Sequence, residues 1–132
     1  AFENWFANTP GLKVIVPSNP YDAKGLLKAA IRDDDPVIFM ESEQMYGDKG
    51  EVPDGEYTIP LGVADIKREG TDVTIFACGH LVWNAIQAGI ILEEKKYSHI
   101  PFVIFCPVVY GGYNIFENRH IFISEKRHIK TP

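Results

Sequence analysis

The chain has 132 residues, 45% of them apolar, and 13 basic against 18 acidic side chains give a formal net charge of −5. That is one ordinary domain or parts of two, with enough apolar content for a packed core. An acidic balance without a basic stripe argues against nucleic acid and anionic membranes as partners, and no apolar run approaches the ~20 residues of a membrane helix. No basic start followed by an apolar stretch marks a signal peptide. Cys78 and Cys106 form no CxxC pair and read as reduced thiols of a cytosol-like compartment.

In chain order, Phe2, Trp5 and Phe6 stand at helical i, i+3, i+4 spacing, yet no residue ahead of them can cap a helix. The expectation is a segment cut from a longer chain, its aromatic set forming either core or an interface. Asn8-Thr9-Pro10-Gly11 is a turn. Val14-Ile15-Val16 is a β-branched run suited to a buried strand, and Pro17 stops it. Asn19 then occupies a helix N-cap with Pro20 at the first helical position. Ala23, Leu26, Leu27, Ala30 and Ile31 form the apolar stripe of a helix laid on a core, leaving Lys24, Lys28 and Arg32 in water. Asp33-Asp34-Asp35 ends the helix and Pro36 bars its continuation. Val37 to Met40 is a second apolar run of strand length. The pattern predicts a βαβ unit with a parallel strand pair covered on both faces.

Residues 42–60, punctuated by Gly47, Gly50, Pro53, Gly55 and Pro60, read as a loop long enough to be functional or a boundary. Gly62 to Lys67 alternates like a half-exposed strand, and Val73 to Cys78 is a buried-type strand. Gly79-His80 turns the chain, with His80 placed at a helix start. Leu81, Val82, Ala85, Ile86, Ala88, Gly89 and Leu92 then make a second helical stripe. Three short strands are expected in 100–106, 108–110 and 121–123, with a turn at Gly111-Gly112 and a frayed basic end.

The stretches PGLKVIVPSNPYDAKGLLKAAIRDDDPVIFMESEQMYG and GEVPDGEYTIPLGVADIKREGTDVTI closely resemble the beta subunit of the first component of the pyruvate dehydrogenase complex. More widely, residues 1–94 are similar to beta chains of thiamine-diphosphate-dependent 2-oxoacid dehydrogenases. Gly50-Glu51-Val52-Pro53 and the YTIPLG turn favour the pyruvate or acetoin enzymes over the branched-chain one. The resemblance implies an α/β fold: a parallel sheet with packed helices, residues 1–58 ending a transketolase-type pyrimidine-binding domain. Residues 59–132 would begin a transketolase-type C-terminal domain, divergent after about residue 95. It implies oxidative decarboxylation of pyruvate with acetyl transfer to lipoamide, in the bacterial cytoplasm or the mitochondrial matrix. The implied cofactors are thiamine diphosphate, magnesium held by the alpha chain, and a structural potassium ion. The implied partners are the alpha subunit, in a heterotetramer, and the lipoyl acyltransferase component. An acetoin or branched-chain beta chain, and an inert piece acting only in subunit interaction, are the alternatives. The acidic, aromatic and histidine residues with which the family contacts the thiamine precede the stretch present here. No such residue carries over, and the chain alone is expected to be catalytically inert.

The sequence Ala30 to Pro36 puts three aspartates at a helix C-terminus, which already carries roughly −0.5 charge. Each has the wrong sign there, at ~0.3–1 kcal/mol. Two readings are open from the residues: a solvated acidic turn, or a hard cation on free carbonyls and a carboxylate. The resemblance implies the second, with potassium on backbone oxygens at Ala30, Ile31, Asp33 and Asp35. Cys78, His80, His99, Cys106, His120 and His128 lack the paired short spacing of zinc ligands. No GxSxG elbow is present, and Gly47-Asp48-Lys49-Gly50 lacks phosphate-loop spacing.

Overall fold

The computed structural model describes residues 2–69, 73–94, 102–105, 108–110 and 122–125, with backbone alone for 73–74 and from 102 onward. Helix α1 (Glu3–Ala7) is short, and no side chain caps it. Its aromatic set divides. Phe2 and Trp5 are 59% and 72% exposed and stack edge to face at 5.3 Å. Phe6 instead packs, beside buried Ala7, against Val14 and Val16. Phe2 and Trp5 are therefore surface, not core.

The βαβ unit forms as the pattern predicts. Strand β1 (Lys13–Ile15) pairs in parallel with β2 (Val37–Phe39), and α2 (Pro20–Ile31) connects them. The Asn19 carboxamide oxygen accepts from the Asp22 amide at 2.8 Å, satisfying one orphan donor of the first turn. Val14 and Ile15 are fully buried, but β2, a sheet edge, is only half-buried throughout.

The predicted stripe of α2 needs correction. Its buried face runs through Asp22, Gly25 and Leu26, while Leu27 and Ile31 lie exposed. The reason is the loop after β2. That loop carries only a 3-10 turn at Glu43–Met45 before residue 65, yet it folds back onto the helix. Ile59 donates its N–H to the Gly25 carbonyl at 3.2 Å. A Cβ on Gly25 would lie 2.6 Å from Ile59 Cγ1 and 2.8 Å from Tyr57 Cε2, so a glycine is what permits this approach. Leu26 then packs between Ile15 and the half-buried Val37, Phe39, Ile59 and Leu61.

The three cations expected to face water hold the same loop. Lys24 donates to the carbonyls of Pro53 and Gly55 and lies 5.1 Å from the Tyr57 ring centroid. Lys28 and Arg32 bind Glu56 at 2.6 and 2.7 Å. Tyr57 stacks on Tyr21 at 4.7 Å and donates its hydroxyl to the Tyr21 carbonyl.

A second strand–helix–strand unit follows: β4 (Val73–Ala77), α3 (Leu81–Glu94) and β5 (Phe102–Phe105), with β4 and β5 parallel. The preceding β3 (Asp65–Arg68) runs antiparallel to β5. The α3 stripe buries Val82, Ala85 and Gly89, while Ala88 faces out. Val82 and Ala85 pack on Ile75 and Ala77. The tail strands are antiparallel additions: β6 (Val108–Tyr110) joins β1, and β7 (Phe122–Glu125) joins β4. The result is two mixed sheets, β2-β1-β6 and β3-β5-β4-β7, each built around one parallel pair. Among the described residues, parallel pairing is confined to those two pairs. The expected turn at Gly111-Gly112 and the basic end lie outside the described residues.

Candidate functional site

In open α/β sheets the loops at the carboxyl ends of parallel strands form the binding crevice. Three such ends meet here. Pro17 to Pro20 leaves β1, Met40 to Met45 leaves β2, and Cys78 to Leu81 leaves β4. Together they border two adjoining cavities that share His80. One, of 480 Å³, lies between Ser18, Asn19, Asp48 and Lys49 on one side and His80, Trp83 and Asn84 on the other. The second, of 400 Å³, is bounded by Glu3, Met40, Glu41, Ser42, Cys78 and Leu81. Gly79 makes the close turn possible. Its φ of +57° is left-handed, and a Cβ there would meet Val16 Cγ1 at 3.0 Å. His80 stands directly ahead of α3, where the sequence places it, and is half-buried.

The cleft is mildly acidic: Glu3, Glu41 and Asp48 against Lys49 and His80. Tyr46 donates its hydroxyl to Glu41 at 3.1 Å, and this hydrogen bond to a carboxylate holds the phenol above its ordinary pKa. The Glu3 Oε2 atom is shielded from solvent and has no hydrogen-bond partner among the described residues. Behind the Ser18-Asn19 wall sits the Asp22 carboxylate, 4% exposed. Its Oδ2 accepts from Ser18 Oγ at 2.9 Å, Asn19 Nδ2 at 2.7 Å and Lys67 Nζ at 3.3 Å. Lys67 also contacts Asp65 at 2.6 Å. Burial pulls the Lys67 ammonium down, but the Asp65 hydrogen bond and the Asp22 charge outweigh it, leaving its pKa raised.

The acidic corner after α2 has a cation that sequence spacing did not reveal. Lys13 Nζ lies 2.7 and 2.8 Å from the two Asp33 carboxylate oxygens and 2.9 Å from Asp35 Oδ2. The β1–β2 register brings Lys13 opposite Val37, directly after this corner. The hydrogen bond from Lys13 depresses the Asp33 pKa, and the two aspartates raise that of Lys13. The Asp35 amide donates to Asp33 Oδ1 at 2.9 Å, and the Asp33 amide to the Ala30 carbonyl at 3.3 Å. Both carboxylates are thus committed to Lys13. An ion at Ala30, Ile31, Asp33 and Asp35 would draw on main-chain oxygens, with Lys13 offsetting one of the three aspartate charges of the corner.

Among the described residues no cluster of three or more His, Cys, Asp or Glu is placed to hold a metal. His99, Cys106, His120 and His128 lie outside the described residues. A diphosphate with its divalent ion needs concentrated positive charge or a carboxylate cluster. The cleft offers one lysine and one histidine. The residues present therefore do not fit thiamine diphosphate as a whole, although the Glu3 oxygen is suited to accept an N–H.

Residues 1–49 match the family described as transketolase, pyrimidine binding domain. The chain is 62% identical over 90 residues to the acetoin:2,6-dichlorophenolindophenol oxidoreductase subunit beta of Bacillus subtilis, covering 68% of this chain and 26% of the relative. It is 57% identical over 94 residues to the 2-oxoisovalerate dehydrogenase subunit beta of the same organism, covering 70% and 29%. It is 52% identical over 99 residues to that organism's pyruvate dehydrogenase E1 component subunit beta, covering 74% and 30%. The matched stretch spans less than a third of each relative's length. The ordering of identities does not single out pyruvate as the sequence had suggested.

Proposed function

We propose that this chain, whose residues 1–49 match the transketolase pyrimidine-binding family, belongs with the beta subunits of 2-oxoacid and acetoin dehydrogenases and contributes part of a thiamine-dependent dehydrogenase beta chain. The observation that carries this reading is collinear similarity over some 90 residues, ending in a cleft at the carboxyl ends of β1, β2 and β4. In the intact enzyme thiamine diphosphate supplies the carbanion chemistry. What this chain's residues supply is the cleft itself: Ser18 and Asn19 shape one side, His80 the other, and Glu3 offers an acceptor. Pyruvate is the substrate we favour, as a 2-oxoacid decarboxylated with acetyl transfer to lipoamide. Acetoin and branched-chain 2-oxoacids are the competing substrates. The compartment that follows is the bacterial cytoplasm or the mitochondrial matrix.

Partners enter the same proposal. An alpha subunit, carrying the magnesium, would cover the exposed Phe2–Trp5 pair that borders the cleft through Glu3. The lipoyl acyltransferase would receive the acyl group. We place the domain boundary within 55–65, so that 1–58 and 59–132 derive from different domains of the longer family chain. Because the cleft lacks the charge for a diphosphate, the chain mixed with an alpha subunit and thiamine diphosphate should give no turnover of pyruvate, acetoin or branched-chain 2-oxoacids. Capture of the alpha subunit, lost when Trp5 becomes Ala, supports the subunit role; turnover of any of the three overturns the inert reading. Potassium on the main-chain oxygens of Ala30, Ile31, Asp33 and Asp35 would brace the corner beside Lys13. An equal melting temperature in potassium and choline chloride would remove it.

A further inference from the structure

We propose that the Asp22–Lys67 pair is a latch that sets the separation of the two cleft walls, rather than a stabilising contact in its own right. Asp22 is the one charged residue buried among the described residues. Removing two charges from water costs as much as their attraction returns, so such pairs seldom add stability over apolar replacements. What the pair does add is geometry. Asp22 belongs to the first turn of α2, and two of the three side chains that bond its Oδ2, Ser18 and Asn19, also line the cleft. Lys67 lies 45 residues further along, on β3 of the other sheet. That sheet carries β4, whose end delivers His80 and α3 to the opposite wall. The carboxylate therefore fastens one wall to the sheet that bears the other. Asp65, on the Lys67 strand itself, steers the ammonium without crossing between sheets.

The latch has a direct readout. Spin labels at the exposed Leu27 and Ile91, introduced as cysteines with Cys78→Ser and Cys106→Ser, report the distance between α2 and α3. The unaltered pair should give one narrow distance distribution. Lys67→Arg keeps the cation and should keep that distribution. Lys67→Met leaves a buried carboxylate unpaired and should lose the narrow component, shifting to longer distances. Asp22→Asn with Lys67→Met leaves no buried charge. It should recover the urea midpoint of the parent while retaining the broad distribution. A narrow, unshifted distribution in either Lys67→Met or the double variant overturns the latch. Should Lys67→Met fail to fold, the double variant decides, and its failure to fold would also overturn the proposal by making the pair a stability element.

Discussion

Gly25→Ala is the most discriminating change in this molecule. In an open helix interior it should stabilise, since alanine is favoured over glycine by about 1 kcal/mol. Gly25 is not open: its Cβ would sit 2.6 and 2.8 Å from Ile59 Cγ1 and Cδ1 and 2.8 Å from Tyr57 Cε2. Relieving such overlap costs about 1–3 kcal/mol in packed sites. The Ile59 amide bond to the Gly25 carbonyl, worth about 0.5–1.5 kcal/mol net, would be strained with it. Overpacking and the strained bond outweigh the propensity gain, so a net loss of about 1–2 kcal/mol follows. Urea denaturation followed by far-ultraviolet circular dichroism measures it. Ile59→Ala removes two of the three clashing atoms, so the cost of Gly25→Ala should shrink in that background. A variant more stable than the parent by about 1 kcal/mol would show that the loop does not pack on this face and that only helix propensity acts.

Asn19→Ala removes the N-cap bond to Asp22 and should lower stability by about 1 kcal/mol in the same assay; no change would mean another group caps α2. The Asp33 pKa is held below its ordinary 3.8 by Lys13. The stability this pair contributes is therefore complete above that value and disappears as pH falls through the depressed folded value. Lys13→Met should flatten the acid limb of the stability–pH curve, and an unchanged limb would refute the assignment. Glu56→Gln breaks two ion pairs at a mostly exposed carboxylate, so its effect on stability should be small and fade in high salt. A larger, salt-independent loss would mean that Glu56 is shielded in solution.

Much of this architecture could be read without coordinates, because it depends on neighbours close in sequence. The Asn19-Pro20 start of α2 is a statement about orphan amides, satisfied within three residues. The β-branched run at Val14-Ile15-Val16 and the second apolar run at Val37 to Phe39 demand cover on both sides, and a connecting helix makes them parallel. The family is likewise carried by the linear order of residues. His80 before α3 follows from Gly79 and the apolar spacing beyond it.

What folding alone decided involves groups far apart in the chain. Lys24, Lys28 and Arg32 have the spacing of a wet face, and nothing local says that Pro53, Gly55 and Glu56 return to meet them. The same returning loop turned Gly25 inward and left Leu27 and Ile31 in water, since a helix with a weak stripe is rotated by whichever surface approaches closest. Lys13 pairs with Asp33 and Asp35 only because strand register brings it there, and Lys67 reaches Asp22 only because two sheets meet. Periodicity reports which face of an element seeks cover. The identity of the covering group, and the charge it brings, is a property of the assembled chain.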